Sequence, residues 1–463
     1  CNPEPLADFI DLFILGEGEE VNLELMDLYK EMKSKGFGKK DFLRRAAEID
    51  GIYVPSLYKV YYNDDGTVKE IIPQDNVRPI IKKRIIKDFD KVFYPENFVV
   101  PFTDIVHDRI SVEVLRGCIR GCRFCQAGFL YRPFREKSPE TVCREAETLC
   151  GNTGYEEISL ASLSTSDHSE IGKILTELIP YTEKQHINLS LPSLRVDNFS
   201  KELMDEVKKV RKSGLTFAPE AGTQRLRNVI NKNVTEEEVM RTCRTAFEGG
   251  YTSVKLYFML GLPTETDEDI VGITKLAQKI VDLYYSIPGR QKGKGVQVSI
   301  STATFVPKPF TPFEFEPQAT RSEIMHKQET LMNSITSKKI KASWHDPSTS
   351  ILEAALARGD RRMGTAVYRA WEKGCKFDSW GEHFSYEKWR EAFEESGLDM
   401  EFYACRRRDY EEIMPWDHLD YYINKEFLVR ENIKAKRAET TENCRSKCSA
   451  CGVSREIGGP CFG

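Results

Sequence analysis

Residues 116–126 read Arg-Gly-Cys-Ile-Arg-Gly-Cys-Arg-Phe-Cys-Gln and place Cys118, Cys122 and Cys125 close together in the chain. The apolar, β-branched run before them, residues 110–115, predicts a strand that ends where this segment begins. Thiolates are the ligands of iron–sulfur clusters, and a complete cluster normally takes four. Three thiolates would therefore leave one iron open to a ligand that is not protein, and open metal positions indicate catalysis. Three ligands of a zinc site, or three buried thiols, also fit the spacing.

The C-x3-C-x2-C spacing, with the aromatic Phe124 directly before Cys125, resembles the signature of radical S-adenosylmethionine (SAM) enzymes. The resemblance implies that Cys118, Cys122 and Cys125 bind a [4Fe–4S] cluster whose open iron chelates the amino and carboxylate groups of SAM. One electron from this cluster would cleave SAM to methionine and a 5′-deoxyadenosyl radical. A reductant such as flavodoxin or ferredoxin would supply the electron. A short motif of this kind needs the matching structural context on either side.

The chain has the composition of a globular protein, and its length of 463 residues predicts about three domains. No stretch approaches the roughly 18 consecutive apolar residues of a membrane span, so no membrane partner is expected. The net charge of −5 gives no general basic surface for nucleic acid. The 13 cysteines, without a visible secretory signal, favour metal ligation over disulfides and predict a cytoplasmic location. Because the chain begins at Cys1 and not at a methionine, we expect it to be a fragment.

Strand-like and helix-like segments alternate from residue 107 to about residue 340. The predicted strands are residues 110–115, 157–160, 187–192, 214–219, 253–260 and 296–305. The predicted helices include residues 139–149, 267–284 and 321–336. Six β–α units in a row predict an α/β fold with a parallel sheet. Six strands are too few for a closed barrel and match the partial (β/α)6 TIM-type barrel of the radical SAM core. In such barrels the chemistry lies at the C-terminal ends of the strands, where the three cysteines fall.

The same resemblance divides the chain into five predicted regions. They are a remnant of a cobalamin-binding-like domain (1–34), a connector (35–106), the radical SAM core (107–340), a mostly helical accessory domain (341–435) and a Cys-rich tail (436–463). The first assignment rests on Phe9–Leu15, predicted to be a buried strand, and on the Gly-Glu-Gly-Glu-Glu turn that follows it. An acidic helix is predicted over residues 19–34, and residues 63–66 predict a hairpin turn. An ordinary strand and helix is the alternative, and binding of cobalamin stays open because its histidine motif would lie upstream.

Hydroxyl residues follow the second predicted strand, where many members of the family carry Gly-Gly-Glu against the amino group of SAM. Ser162, Ser164 and Thr165 are expected to supply polar contacts there instead. The departure from the family pattern puts that contact in doubt. Ser166 or Asp167 is expected to cap the next helix.

Two later segments resemble SAM-binding segments of methylthiotransferase-like enzymes. After the fourth strand, the resemblance implies that Glu220 bonds the ribose or amino group of SAM and that Lys232 pairs with its carboxylate. Relatives often have Arg in place of Lys232, and a lysine lacks the bidentate fork. Two ordinary surface charges are the alternative. After the fifth strand, Gly261 would let the backbone approach the adenine.

The accessory region holds all five tryptophans and resembles the C-terminal region of an uncharacterised radical SAM family with a cobalamin-binding-like N-terminus. A role in substrate binding is hypothesised for His345, Asp346, Arg358 or Asp360. The alternative is a small helical domain whose tryptophans form its core.

The tail carries Cys444, Cys448, Cys451 and Cys461 in a segment too short to build a core of its own. Four thiols in such a segment predict a metal site, filled by zinc or by a second [4Fe–4S] cluster. The other cysteines of the folded regions are expected to be plain buried thiols, namely Cys143, Cys150, Cys243, Cys375 and Cys405.

The sequence therefore predicts a radical SAM enzyme whose substrate is open. Methylthiolation of RNA or of a ribosomal protein is one expectation, and cobalamin-assisted methylation is another. The competing class is a non-catalytic nucleic-acid-binding protein with two structural zinc sites. The basic run Arg406-Arg407-Arg408 and the tail would support it.

Overall fold

The computed structural model describes residues 1–191, 215–288, 295–459 and 461. Its strands are β1 (Phe13–Ile14), β2 (Ile52–Tyr53), β3 (Tyr58–Tyr62), β4 (Val68–Pro73), β5 (Ile81–Lys82), β6 (Ile110–Glu113), β7 (Leu115–Arg116), β8 (Arg135–Glu136), β9 (Glu157–Ala161), β10 (Asn188–Ser190), β11 (Leu215–Glu220), β12 (Ser253–Leu260), β13 (Gln297–Thr304), β14 (Ile340–Trp344) and β15 (Leu419–Asp420). Its α-helices are α1 (Gly18–Ser34), α2 (Lys39–Ala46), α3 (Gln126–Leu130), α4 (Pro139–Thr153), α5 (Ile171–Gln185), α6 (Gln224–Val229), α7 (Glu236–Glu248), α8 (Asp267–Ser286), α9 (Arg321–Asn333), α10 (Pro347–Arg358), α11 (Met363–Glu372), α12 (Tyr386–Glu395), α13 (Met400–Ala404), α14 (Lys425–Lys436) and α15 (Val453–Glu456).

Two parallel sheets form the centre of the described fold. One has the strand order β10-β9-β6 and the other the order β11-β12-β13-β14. Every pair in them is parallel, and α4, α5, α7, α8 and α9 alternate with their strands. The predicted α/β fold with parallel sheets is confirmed. No pairing between described residues joins the two sheets into a closed barrel. The predicted strands 187–192 and 214–219 each reach into residues outside the described ones.

The four-stranded sheet ends on a strand that the sequence did not predict. Strand β14 pairs with β13 from Val298 and Ile340 to Thr302 and Trp344, across the predicted boundary at residue 340. Its sequence, Ile-Lys-Ala-Ser-Trp, is mostly exposed and carries few β-branched residues. The apolar pattern that marks a buried strand is therefore weak there.

The N-terminal residues differ from the predicted buried strand over Phe9–Leu15. Only Phe13 and Ile14 are in β1, whereas Phe9 and Ile10 are 47% and 41% exposed and lie outside any strand. Aspartates at positions 8 and 11 interrupt the apolar run, and aspartate disfavours strands. The predicted helix is confirmed as α1, and the predicted hairpin as the antiparallel pair β3–β4.

Separate hydrophobic cores back the two sheets. Val254, Leu256 and Ile273 belong to the core between the four-stranded sheet and its helices, and Val112 and Leu149 belong to the core of the three-stranded sheet. A third core joins the N-terminal region, the connector and the tail, and it includes Tyr53, Phe427, Cys451 and Val453. The tail therefore packs into a core built by other regions. No helix among the described residues is long and apolar enough to cross a membrane.

Gly222 brings the loop after β11 into backbone contact with the first turn of α8. A Cβ atom on Gly222 would lie 2.2 Å from the Asp269 carbonyl oxygen and 2.4 Å from the Ile273 nitrogen. The neighbouring Thr223 and Arg225 side chains both bond to the Asp269 carboxylate, which fixes this approach. The position therefore tolerates only glycine.

We expect Gly222→Ala to lower the free energy of unfolding by about 1–3 kcal/mol or more, because its methyl group overlaps a backbone that cannot retreat. Urea unfolding followed by circular dichroism measures this change. The matched control is Gly172→Ala in α5, where a Cβ meets no atom within 4 Å and alanine favours the helix. Equal unfolding midpoints for the two variants would contradict the packing described.

Candidate active site

The cysteine loop, residues 117–125, connects β7 to α3, as the sequence predicted. It begins at Gly117 with φ of +89°, and a Cβ there would lie 2.8 Å from two carbonyl oxygens of the segment after α3. Cys122 is buried, and Cys118 and Cys125 are half-buried. The Cys125 N–H donates to the Cys122 carbonyl (3.1 Å), so the second half of the loop is a tight turn. The loop thus holds its three thiols close to one end of a strand.

The donors of the cysteine loop fit an iron–sulfur cluster by their chemistry, because three thiols stand within eight consecutive residues. Across the described ranges, no three His, Cys, Asp or Glu side chains stand close enough together to hold a metal ion without adjustment. Burial raises the pKa of Cys125 and the neighbouring Cys122 adds to the rise, while the Lys232 ammonium lowers this pKa and the Glu220 carboxylate raises it.

Asp167 braces the cysteine loop from the segment that follows β9. Its carboxylate is 1% exposed and accepts bonds from Arg120 Nε (3.1 Å) and Nη2 (2.7 Å) and from Ser164 Oγ (2.7 Å). The predicted capping role is wrong for Asp167, since α5 begins only at Ile171 with Glu170 at its N-cap. A buried carboxylate needs a charged partner, and the cysteine loop supplies one.

The hydroxyl residues predicted to contact SAM form hydrogen bonds within their own segment. Ser162 Oγ lies 2.8 Å from Thr165 Oγ1, and the Ser164 N–H donates to Ser162 Oγ (3.2 Å). Thr165 Oγ1 also donates to the Leu160 carbonyl at the end of the strand (3.2 Å). Ser162 is half-buried and Ser164 is buried. Contact of Ser162 and Ser164 with SAM stays a prediction.

Glu220 and Lys232, predicted separately as SAM contacts, lie together. Lys232 Nζ donates to Glu220 Oε1 at 3.1 Å, and the two side chains are only 12% and 16% exposed. They are therefore not ordinary surface charges. Asn231, next to Lys232, donates to the Gly121 carbonyl (3.0 Å) and so ties this segment to the cysteine loop. Glu220 ends β11 with φ of +68°, a backbone strain of the kind that clusters at functional sites.

Gly261 follows β12 with φ of +83°, and a Cβ there would lie 2.8 Å from Ile324 Cδ1 in α9. Its N–H donates to Glu265 Oε2 (2.7 Å). Burial raises the pKa of this Glu265 carboxyl to about 7, against the effect of Lys327, 3.1 Å away. Packing within the chain explains why residue 261 is glycine. The approach of its backbone to adenine stays a prediction.

The two residues between Cys122 and Cys125 point in different directions. Phe124 packs, partly buried, against an apolar core that includes Ile230 and Leu262. Arg123 is fully buried and donates to Glu431 Oε2 in α14 (3.0 Å) and to three backbone carbonyl oxygens. Arg123 could not be predicted from the sequence, because nothing local to the motif indicates a partner 308 residues away.

In the accessory region, the side chains of Arg358 and Asp360 are both buried. Arg358 is fully buried and donates to four backbone carbonyl oxygens, and Asp360 is paired with Arg362 at 2.6 Å. Both are structural, which contradicts their hypothesised contact with substrate.

Asp346 caps α10 by accepting from the Ser348 N–H (2.6 Å). The exposed His345 stays a hypothesis. Trp389 and Trp416 are core residues, whereas Trp344, Trp371 and Trp380 are exposed.

The basic run at residues 406–408 does not form an open basic patch. Arg406 pairs with Glu412 (2.7 Å) and Arg407 with Glu316 (2.6 Å). Arg408 is buried and donates to the Arg358 carbonyl (2.7 Å). The expected support for nucleic-acid binding is therefore wrong, because these charges are used inside the chain.

The tail cysteines lie beside the cysteine loop. Cys451 is buried, Cys444 and Cys461 are half-buried and Cys448 is exposed. The Cys444 N–H donates to the carbonyl of Ile119, the residue after Cys118, at 2.9 Å. Of the cysteines predicted to be plain thiols, Cys143, Cys150, Cys243 and Cys375 are buried and Cys405 is half-buried.

Two family models match the chain. The model of the radical SAM superfamily matches residues 112–277. The model of the N-terminal region of radical SAM proteins matches residues 1–55, across the predicted boundary at residue 34. The first match therefore contains the cysteine loop, the Asp167 segment and the Glu220–Lys232 pair.

Similar proteins cover different shares of the chain. An uncharacterised protein of Methanocaldococcus jannaschii is 28% identical over 78% of this chain and 69% of its own length. An uncharacterised methyltransferase of Pyrococcus horikoshii is 24% identical over 60% of this chain and 54% of its own length. The structure of TsrM, a radical SAM methyltransferase from Kitasatospora setae, covers 67% of this chain and 54% of that chain at 15% identity, with a TM-score of 0.43. The chain thus spans about half the length of the last two proteins.

Proposed function

We propose that this chain, an enzyme with the radical SAM superfamily domain at residues 112–277, cleaves SAM reductively at Cys118, Cys122 and Cys125. A radical SAM domain implies a [4Fe–4S] cluster and SAM as cofactors. The observation that carries the proposal is the position of the cysteine loop beside two charged pairs, Arg120–Asp167 and Glu220–Lys232. In parallel α/β folds, ligands bind outside the carboxyl ends of the strands. The competing prediction of a non-catalytic protein is wrong, because this domain is that of an enzyme family.

The Glu220–Lys232 pair complements the amino acid end of SAM. That end carries an amino group, which can donate hydrogen bonds, and a carboxylate, and the pair offers a carboxylate and an ammonium 3.1 Å apart. The amino group of SAM, bound to the open iron, would donate to the Glu220 carboxylate, and the carboxylate of SAM would accept from Lys232. Binding in this way leaves both buried side chains with a polar partner, which avoids the desolvation cost of a lone charge. When bound, the cluster supplies the electron that breaks a carbon–sulfur bond of SAM.

The two parallel sheets are proposed to be the two parts of one partial barrel. Their order, β6-β9-β10 and then β11-β12-β13-β14, follows the order of the chain, as the wall of a barrel does. The part of the chain that the structure describes contributes seven such strands, one more than the sequence predicted. In this arrangement the cysteine loop, Asp167 and Glu220 all follow strands at the same rim.

Methyl transfer, with a second molecule of SAM as the source of the methyl group, is the reaction proposed to follow the cleavage of the first. It is supported by the Pyrococcus horikoshii relative, which is named a methyltransferase and whose match covers 60% of this chain. Methylthiolation of RNA or of a ribosomal protein is the alternative product class. Mass spectrometry of modified RNA and protein from cells with and without the enzyme separates the two by the mass added.

Production of 5′-deoxyadenosine tests the proposed cleavage directly. The protein is reconstituted anaerobically with iron and sulfide, then mixed with SAM and dithionite, and the nucleoside is quantified by chromatography. We expect 5′-deoxyadenosine to accumulate with dithionite and to be absent without it. A protein that carries the reduced cluster and binds SAM, but makes no 5′-deoxyadenosine, would reject the proposal.

We expect Glu220→Gln and Lys232→Met each to weaken SAM binding about ten- to hundredfold, because a charge-assisted contact is worth roughly 1.5–3 kcal/mol. Both variants should keep the cluster, since neither residue is a thiol ligand. Calorimetric titration with SAM measures the affinity, and the iron content monitors the cluster.

The control for this pair is Lys279→Met, which breaks the exposed ion pair between α8 and α7. It should bind SAM as the unmodified chain does. Unchanged affinity in both Glu220→Gln and Lys232→Met would show that the pair does not contact SAM.

A further inference from the structure

The tail is anchored to the rest of the chain and not merely attached at its end. Cys451 and Val453 are buried in the core that also contains Phe427 of α14. The Asn424 N–H donates to the Cys451 carbonyl (2.8 Å). Gly452 follows with φ of +118°, and a Cβ there would lie 2.5 Å from Asn424 Oδ1. These contacts fix the polypeptide that carries the four tail thiols.

The anchored tail lies against the cysteine loop. The hydrogen bond from the Cys444 N–H to the Ile119 carbonyl is 2.9 Å long. Ile119 directly follows Cys118 in the chain, so this bond joins the first tail cysteine to the neighbour of a thiol of the cysteine loop.

Arg132 is buried between the two sets of thiols. It is 4% exposed and donates from Nε to the Gly128 carbonyl (3.1 Å) and from Nη2 to the Arg120 carbonyl (3.3 Å). Its third nitrogen, Nη1, is buried and makes no hydrogen bond of good geometry to the described residues. The thiols of Cys444, Cys451 and Cys118 lie within electrostatic reach of this guanidinium, and the Cys451 thiol lies close enough to act as its acceptor.

The four tail thiols lie near one another, since the Cys461 thiol is within electrostatic reach of those of Cys451, Cys444 and Cys448. Four thiols gathered in this way are the ligand set of an iron–sulfur cluster. The buried guanidinium of Arg132 suits the anionic sulfur of such a centre, because buried donors require an acceptor.

We propose that Cys444, Cys448, Cys451 and Cys461 bind a second iron–sulfur cluster, adjacent to the cluster of the cysteine loop and hydrogen-bonded by Arg132. All four ligands come from the chain, so this centre has no open position for substrate. Its C-x3-C-x2-C-x9-C spacing differs from the paired C-x2-C hooks of structural zinc sites. Hydrogen bonds to cluster sulfur are a normal means of setting the reduction potential.

The second cluster relays electrons to the first. One electron enters it from a flavin- or iron–sulfur-containing donor protein, which is thereby oxidised by one electron. The same electron then passes to the cluster of the cysteine loop and returns the tail cluster to its oxidised state. No bond forms or breaks in either transfer.

Metal analysis of the full chain, reconstituted anaerobically, tests the site. The unmodified protein should hold about eight irons, and Cys448→Ser/Cys461→Ser about four, because each cubane cluster contains four. These two cysteines are exposed and half-buried, so their replacement should leave the core intact. The matched control is Cys375→Ser/Cys405→Ser, which should keep about eight irons.

Equal iron in the unmodified protein and in Cys448→Ser/Cys461→Ser would overturn the site. Four irons with one zinc in the unmodified protein would overturn the choice of metal.

The relay is tested by the rate of 5′-deoxyadenosine formation. In Cys448→Ser/Cys461→Ser, we expect at least a tenfold loss with reduced flavodoxin as the donor and little loss with dithionite. Equal rates with flavodoxin in the variant and the unmodified protein would overturn the relay.

Discussion

The variant Cys118→Ala/Cys122→Ala/Cys125→Ala is expected to lose the SAM-binding cluster and all reductive cleavage of SAM. Alanine offers no ligand to iron, and the loop contains no other thiol. Iron content should fall by about four atoms, the content of one cubane cluster. The absorbance of the reconstituted protein and its yield of 5′-deoxyadenosine measure the two losses independently.

The control for the triple variant is Cys143→Ala/Cys150→Ala, which removes two buried thiols of α4 outside the cysteine loop. This control should keep its iron and its activity. Undiminished 5′-deoxyadenosine from the triple variant would mean that SAM is cleaved elsewhere, and the assignment of the loop would then be lost.

Glu431→Ala is expected to lower the free energy of unfolding by about 3–5 kcal/mol, because it leaves a buried guanidinium without its counter-charge. Arg123 and Glu431 are 0% and 3% exposed, and their closest atoms are 3.0 Å apart. Burial alone would raise the pKa of Glu431, but Arg123, Thr441 and Lys434 hold it below its ordinary value of 4.5. A carboxylate with a lowered pKa stabilises the fold above its unfolded pKa, and this contribution is lost as the pH falls.

Urea unfolding at pH 7 and at pH 4 measures both effects. The difference between Glu431→Ala and the unmodified chain should be largest at pH 7 and should shrink below the unfolded pKa of the carboxyl, which is near 4.5. Glu394→Ala, which breaks the exposed pair with Arg390, should cost at most about 1 kcal/mol. Arg123→Met/Glu431→Leu should recover part of the loss, since an apolar pair has no uncompensated charge. If Glu431→Ala and Glu394→Ala unfold at the same urea concentration, the buried pair does not stabilise the chain as described.

The part of the site that sequence could predict is the part that is local. The strand before the cysteine loop, the loop itself and the helix after Ser138 each follow from patterns within one segment. Glu220 and Lys232 are 12 residues apart, and their resemblance to a known segment was enough to select both. Their contact with each other was not predicted, because a family pattern assigns roles to single positions.

The contacts that sequence could not predict join distant segments. From the sequence, Asp167 was expected to cap the next helix. Only the fold shows that its carboxylate pairs with the distant Arg120 instead. Arg123 stands inside the motif at a position that the cysteine spacing does not fix, and Arg132 lies beyond the motif. Their partners include residues hundreds of positions away. Strand β14 was missed because its side chains are mostly exposed and few of them are β-branched, so the apolar pattern of a strand is weak.

The bond between Arg123 and Glu431 spans 308 positions of the chain, and this separation has a consequence for biosynthesis. At a translation rate of about 5–20 residues per second, α14 leaves the ribosome about 15–60 s after the cysteine loop. During that interval Arg123 has no Glu431 partner, so the cysteine loop cannot adopt its final closed form and its thiols stay open to incoming iron and sulfide. Release of the finished polypeptide then allows α14 and the tail to cover the loop. We therefore expect loading of the first cluster to be most efficient during translation and slower on the completed apoprotein.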